Sequence, residues 1–507
     1  MTQATAAPPL GRRQTLLILG ALMTATFLTA LDLTVVGTAM PTIVAQMGGL
    51  SLYSWVFTAY LLTSTVTVPL YGKLADLYGR LPVFYAGVII FLIGSVACGM
   101  AQSMEQLILF RGLQGLGAGA VQPLVLTMIG DVFTVEQRAR FNALFSAVWG
   151  VASVAGPAVG GLLTDTLSWR YIFYLNIPIG IAACVMLARV FPEKVVHRKH
   201  QLDIAGALLL TGAITTLLLA TSVDSDRSAG VTVGLVTAAA VLFLGFLRVE
   251  RRAAEPVLPL ALFSIPAISI AAVSALLIGA LSFATTSFIP LTIQGVFGGN
   301  ATLAGAMLIP LSIGWPIGSV AGGRVILRWG FRPALLAGVV LIAAGTIPLA
   351  FIDSSTSLWW IGVVTTVTGL GLGSSTLATT IAVQNSVEWS QRGVATGAVF
   401  FARSMGGSLG VTVLGAILAG DLLSRVGDLT LPAGGKLGIG EVTALLEPSV
   451  RSQFDAATLA TLTSALGSSL QLVYVGAAVI AVAAVLVALR YPRISVEQLA
   501  GGAGAKH

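Results

Sequence analysis

The amino-acid sequence predicts an all-α integral membrane protein with about fourteen transmembrane helices. Three observations predict it. Hydrophobic residues make up 56% of the 507-residue chain and charged residues 9%, with a mean hydropathy of +0.94, whereas a soluble domain carries roughly 25% charge. The apolar residues form runs near the ~20-residue length that crosses a hydrocarbon core. Basic residues concentrate in every second connecting segment, the pattern of loops retained in the cytoplasm.

Residues 1–14, with Pro8, Pro9, Arg12 and Arg13, read as a cytoplasmic tail. The first apolar run, 15–40, is not followed by a small-residue cleavage site, so it reads as a retained span rather than a signal peptide. Further runs lie at 54–72, 82–101, 106–129, 141–164, 171–190, 203–222 and 229–248. The remaining runs are 267–290, 303–323, 333–352, 358–381, 394–420 and 468–490, followed by a tail over 496–507. All are long and continuously apolar, where barrel strands would alternate with a period of two over short segments.

Charge tests the count. With the N-terminus inside, the cytoplasmic segments hold Arg12, Arg13, Lys73, Arg80, Arg138, Arg140, Arg248, Arg251, Arg252, Arg324, Arg328, Arg332, Arg392, Arg490 and Arg493, among others. The outer segments hold Arg170, Arg227, Arg425, Lys436 and Arg451. Deleting one span would invert every later loop, so an even count with both termini in the cytoplasm fits best. A bacterial-type inner membrane is the expected location.

The net charge of +7 does not point to nucleic acid, because the basic residues are dispersed over short loops and form no patch. Cys98 and Cys184 lie within apolar runs and read as small core residues, not as a disulfide or a metal site. His197, His200 and His507 lie in a basic loop and at the C-terminus. No cofactor or metal is expected. No phosphate-binding Gly-x4-Gly-Lys-Ser/Thr loop occurs, so energy would come from an ion gradient. A membrane-embedded enzyme is disfavoured, since no histidine lies in any predicted span.

The loop after the second run reads Gly72-Lys73-Leu74-Ala75-Asp76-Leu77-Tyr78-Gly79-Arg80-Leu81-Pro82. The loop after the tenth begins Gly322-Gly323-Arg324 and ends Gly330-Phe331-Arg332-Pro333. Both are basic, start with glycine and end in proline at the next span. They suggest a duplicated architecture. One six-helix bundle covers residues 15–200 and a second covers 266–495, the latter including a long outer loop at 421–467. Residues 201–265 supply an extra two-helix hairpin and linker.

Four motifs carry chemistry. In Gly72-x3-Asp76-x2-Gly79-Arg80, glycines permit a tight interhelical loop and the aspartate can cap a helix or pair with a base. In the fifth run, Gly156 and Gly160 put small residues on one helix face, and Pro157 frees a carbonyl. Arg111, in Arg111-Gly112-x-Gln114-Gly115, lies inside the fourth run, where a charge is expensive. The first run contains Leu31-Asp32-Leu33-Thr34-Val35-Val36-Gly37-Thr38-Ala39-Met40-Pro41.

These motifs resemble those of the major facilitator superfamily, in its fourteen-span drug:proton antiporter branch. The resemblance covers nearly the whole chain except 421–467 and the tails. It implies that Gly72, Asp76, Gly79 and Arg80 latch the cytoplasmic side. It also implies that Gly156, Pro157 and Gly160 belong to an antiporter-associated switch, and that Arg111 takes part in proton coupling. The family pattern usually has Asn where this chain has Gly37, which weakens a substrate contact there. Trp169 to Pro178 and Arg392 to Gly397 are also family-like and read as structural.

Of the 20 acidic residues, only Asp32 lies well inside a predicted span, and a carboxylate at that depth reads as functional by default. Burial raises a carboxyl pKa and a nearby arginine lowers it, so an Asp32–Arg111 pair could take a proton from one side and release it to the other. Depths of about 12 Å for Asp32 and 8 Å for Arg111, at ~1.5 Å per residue, allow the pair to form. Arg403 is the other intramembrane charge. Substrate-cavity candidates are Phe27, Trp55, Tyr60, Gln122, Trp149, Phe283, Phe288, Gln294, Trp315, Phe400 and Arg403; the aromatic ones suit flat lipophilic ligands, cations included. The expected function is proton-coupled antiport that exports lipophilic drugs by alternating access. The expected partners are a small-molecule substrate, protons and the lipid bilayer, with the chain acting as a monomer. An exporter of a dedicated metabolite, amino acid or lipid on the same fold remains open.

Overall fold

Without water in a hydrocarbon layer, a chain must satisfy its own backbone polar groups, and a helix does so within one segment. The computed structural model is helical throughout its described regions. These are residues 12–133, 135–191, 203–221, 229–253, 260–353, 355–387, 392–427, 442, 445–446, 451 and 453–492. Side chains of Lys73, Asp76 and residues 135–147, among a few others, lie outside the description. Residues 1–11, 192–202, 254–259 and 493–507, which hold most of the tails expected at 1–14 and 496–507 and part of the linker expected within 201–265, also lie outside it.

The helices are α1 (Arg12–Met47), α2 (Tyr53–Tyr78), α3 (Arg80–Met100), α4 (Met104–Val132), α5 (Val135–Thr166), α6 (Tyr171–Tyr174) and α7 (Asn176–Val190). They continue with α8 (Ile204–Thr221), α9 (Ala229–Glu250), α10 (Pro266–Gly295), α11 (Ala301–Trp329) and α12 (Phe331–Thr346). The last are α13 (Leu358–Asn385), α14 (Arg392–Gly427) and α15 (Ala456–Leu489). Among the described residues, 11 spans are long and apolar enough to cross a membrane. One of them joins α6 and α7, and another adds to α12 the short 3-10 turn Ile347–Phe351. The helices α2, α5 and α8 fall at the other three predicted positions without meeting that criterion.

Packing repeats along the chain. In the first half α1 packs on α5 and α7, and α4 packs on α2 and α3. In the second half α10 packs on α14 and α15, and α13 packs on α11 and α12. The turns correspond too. Gly79 joins α2 to α3 at φ 97° and Gly330 joins α11 to α12 at φ 88°, a conformation that disfavours any side chain. The halves meet through α5 on α11, α2 on α14, and α1 on α10. The pair α8–α9 packs on itself and, through α8, on α2 and α14. Much of α9 is exposed, including Val233, Val241 and Leu244, as a lipid-facing surface requires.

Several predicted boundaries need correction. The first run was expected to stop at 40, before Pro41; the helix instead carries Pro41 inside it and ends at Met47, because a proline removes one hydrogen bond without ending a helix held by tertiary packing. The loop expected at 421–467 is shorter, because α14 reaches Gly427 and α15 starts at Ala456. Asp455 caps α15 by accepting from the backbone of Ala457 and Thr458, which is why the helix begins well before its apolar run. Within that loop Val442, Leu445 and Leu446 are buried, and Arg451 donates to the carbonyl of Gly295 at 2.7 Å, at the end of α10.

Candidate functional site

Asp32 lies at the middle of α1 and is fully buried, as are Arg111 and Gln114 one turn apart on α4. The Arg111 Nη1 donates to Asp32 Oδ2 at 2.8 Å and to Gln114 Oε1 at 2.6 Å. Gln114 Nε2 donates to Asp32 Oδ1 at 2.8 Å, and so does Asn176 Nδ2, also at 2.8 Å, from the first residue of α7. Ser95 of α3 accepts from Gln114 and Asn176 at 3.1 and 3.0 Å and donates to the Phe173 carbonyl. The Arg111 guanidinium lies over the Tyr60 ring at 4.1 Å. Six helices, α1, α2, α3, α4, α6 and α7, thus contribute to one ion-paired network closed to solvent.

That geometry has a chemical consequence. Taking an ion pair out of water is penalised by several kcal/mol per charge, on the order of what the pairing returns when every remaining donor and acceptor is used. Asp32 has both oxygens engaged in its charged form. Without the Asp32 charge, Arg111 would be left uncompensated in a buried site. Sequence reasoning placed the pair but read Asn176 as structural and Ser95 not at all. The spacing of Gln114, three residues from Arg111, was the one available signal.

The switch residues divide. A side chain at Gly156 would run into Thr34 of α1, and one at Gly160 into Thr38 and Val35, so both positions hold α5 against α1. Pro157 lacks the N–H that would otherwise occupy the Ser153 carbonyl. That carbonyl accepts from Ser312 Oγ of α11 at 2.5 Å, which makes the freed group a tie between the halves. Gly79 sits in its positive-φ turn and Arg80 opens α3. Gly72 has open space around it, so no close approach explains it, and the Asp76 side chain lies outside the description. Gly37 is tight against the Thr286 backbone of α10; a larger residue there would separate the halves.

The cavity candidates divide as well. Phe27, Trp55, Gln122, Trp149, Phe283, Trp315, Phe400 and Arg403 are half-buried. Tyr60, Phe288 and Gln294 are buried and do other work. Tyr60 lies under Arg111, Phe288 stacks on Tyr53, and Gln294 donates to the Thr38 carbonyl at 3.1 Å and accepts from Thr42. Gln294 therefore fastens α10 to α1. Near it, Asp165 at the end of α5 accepts from the backbone of Ala301 and Thr302 at 3.2 and 2.8 Å, capping α11 across the interface. These ties gather at the end of the molecule where α1 finishes.

The Major Facilitator Superfamily profile matches residues 22–411. The chain belongs to the major facilitator superfamily. It is 39% identical over 418 residues to the multidrug transporter protein MdtP of Bacillus subtilis, covering 81% of this chain and 77% of that one. It is 35% identical over 467 residues to multidrug resistance protein 3 of the same organism, covering 90% of each. Its fold is similar to the crystal structure of a bacterial homolog of the human lysosomal transporter Spinster in an inward-facing, occupied conformation. That match has a TM-score of 0.64 at 17% identity and covers 96% of this chain and 99% of the other. This major facilitator protein is thus a membrane-embedded transporter, and these two relatives are named for multidrug transport and multidrug resistance.

Proposed function

We propose that this transporter is a proton-coupled antiporter that exports lipophilic compounds across the cell membrane by alternating access. In this reading about fourteen spans form two six-helix bundles, α1–α7 and α10–α15, with α8–α9 as an inserted hairpin and both termini in the cytoplasm. The recurrence of packing partners and of the Gly79 and Gly330 turns supports the two-bundle division. The observation that carries the coupling is the burial of Asp32 in full contact with Arg111, Gln114 and Asn176.

In the alternative packing, open to the exterior, Asp32 takes a proton from the outside, which cancels its charge and keeps it from holding Arg111, Gln114 and Asn176. The neutral carboxyl lets the bundle return to the present arrangement, where release of the proton to the cytoplasm restores the network. One proton moving inward down 100 mV supplies about 2.3 kcal/mol, enough to shift a two-state equilibrium by roughly fiftyfold. Gln294 and Asp165 hold the halves together at the end where α1 finishes, which this topology places outside, and the Pro157-freed carbonyl ties them nearer mid-span. The present arrangement is then the one closed to the exterior.

Cells expressing the wild-type protein should expel a lipophilic dye when energised and stop when a protonophore is added. Asp32→Asn should be produced at the wild-type level yet expel dye no faster than empty cells. Full dye export by Asp32→Asn would remove Asp32 from the coupling step.

A further inference from the structure

Arg403 is set apart from Arg111 by what surrounds it. It lies 11 residues from the start of α14, about 16 Å along the axis, too deep for its side chain to reach an interface. Its backbone carbonyl is packed against Gly279 of α10, which fixes the residue in mid-span. Gly37 of α1 packs at Thr286 of the same helix, so Arg403 lies near the depth of Asp32. Yet no carboxylate pairs with it among the described residues. Its recorded neighbour is the face of Phe400, 5.0 Å from the guanidinium carbon. The side chain is half-buried, not sealed.

Its direction follows from the other residues of α14. Phe401, Met405 and Leu409 belong to a cluster with Leu62 and Val66 of α2 and Ile214 of α8, and Thr412 bonds Thr58 of α2 at 2.7 Å. Gly407, one turn beyond Arg403, is covered by the Phe283 ring of α10. Phe400 and Arg403 therefore lie on the edge of α14 next to α10, away from the α2–α8 contact. A charge without a counterion in a low-dielectric span is costly, and an anion that reaches it replaces the missing partner.

Charge balance points the same way. Among the described residues the mid-span charges are Asp32, Arg111 and Arg403. The first two neutralise each other and Asp32 has no free oxygen to offer a cationic drug. The remaining charge is positive. Exporting an anion is also aided by an inside-negative potential, whereas exporting a cation opposes it.

We propose that Arg403 is an anion-recognition residue on the edge of α14 beside α10, and that the preferred substrates are flat lipophilic compounds bearing an acidic group. The proposal rests on the exporter reading and sharpens it: the aromatic residues alone admitted lipophilic cations, and Arg403 selects against them. The acidic group pairs with the guanidinium while the ring system lies against Phe400 and Phe283.

The test uses full-length protein in energised cells and three dyes: fluorescein as the anion, rhodamine 123 as the cation and Nile red as the neutral compound. Wild type should export fluorescein faster than rhodamine 123. Arg403→Gln should lose roughly tenfold or more of fluorescein export, with a much smaller fall for Nile red, and Arg403→Lys should recover part of the loss. Thermal unfolding of the purified variants checks that each one folds. Equal loss of all three dyes in both variants, or fluorescein export within twofold of wild type in Arg403→Gln, overturns the proposal. Wild-type export of Nile red without fluorescein overturns it while leaving the exporter reading intact; export of none of the three overturns both.

Discussion

At the scale of single residues, the network around Asp32 sets the energetics. Removing one partner of a buried ion pair leaves an uncompensated charge, at a cost of about 3–5 kcal/mol. Removing both leaves none. Arg111→Leu should therefore lower the thermal unfolding temperature more than the double variant Asp32→Asn with Arg111→Leu, measured on detergent-purified protein. A double variant less stable than the single one would mean that the two charges are not coupled. Asp32 and Arg111 were legible in the sequence because each is a charge inside an otherwise apolar run. Ser95 and Asn176 were not. Uncharged polar residues occur throughout these helices, and only the crossing of α3, α4 and α7 selects these two. The place of Tyr60 under the Arg111 guanidinium was not legible for the same reason.

At the scale of helices, close approach is the recurring device. Gly160 admits Thr38 and Val35 of α1, so Gly160→Leu must push α5 aside. Overpacking of this kind costs about 1–3 kcal/mol, and the variant should unfold at a lower temperature than wild type in a thermal melt. A second device is helix capping across the interface. Losing an N-cap costs roughly 0.5–2 kcal/mol, so Asp165→Ala should weaken the tie between α5 and α11 and raise the share of molecules open at that end by severalfold. Cysteine labelling from outside, at a position introduced on the covered face of α11, should speed up accordingly; unchanged labelling would show that the Asp165 contact holds nothing closed. The glycine motif of α5 was legible as a packing face, and its proline as a source of a free carbonyl. That the carbonyl binds Ser312 was not, because the partner lies 159 residues away.

At the scale of the whole molecule, hydropathy and charge predict an all-helical membrane protein, and several helix ends differ from the predicted runs. Tertiary packing carried α1 through Pro41, and capping by Asp455 started α15 early. The repeat was visible only as two degenerate basic loops. In three dimensions the helix pairs and the two glycine turns recur along the chain. Topology can be checked directly. Single cysteines at positions 195 and 436 should label from the inside and the outside of the membrane, respectively, and labelling of both from one side would contradict the odd span count between them. The most direct test of the central claim is proton release. Purified wild-type protein in weakly buffered detergent solution should release protons when a transported compound is added, and Asp32→Asn should release none. Equal release from the two would contradict the assignment of Asp32 as the group that carries the proton.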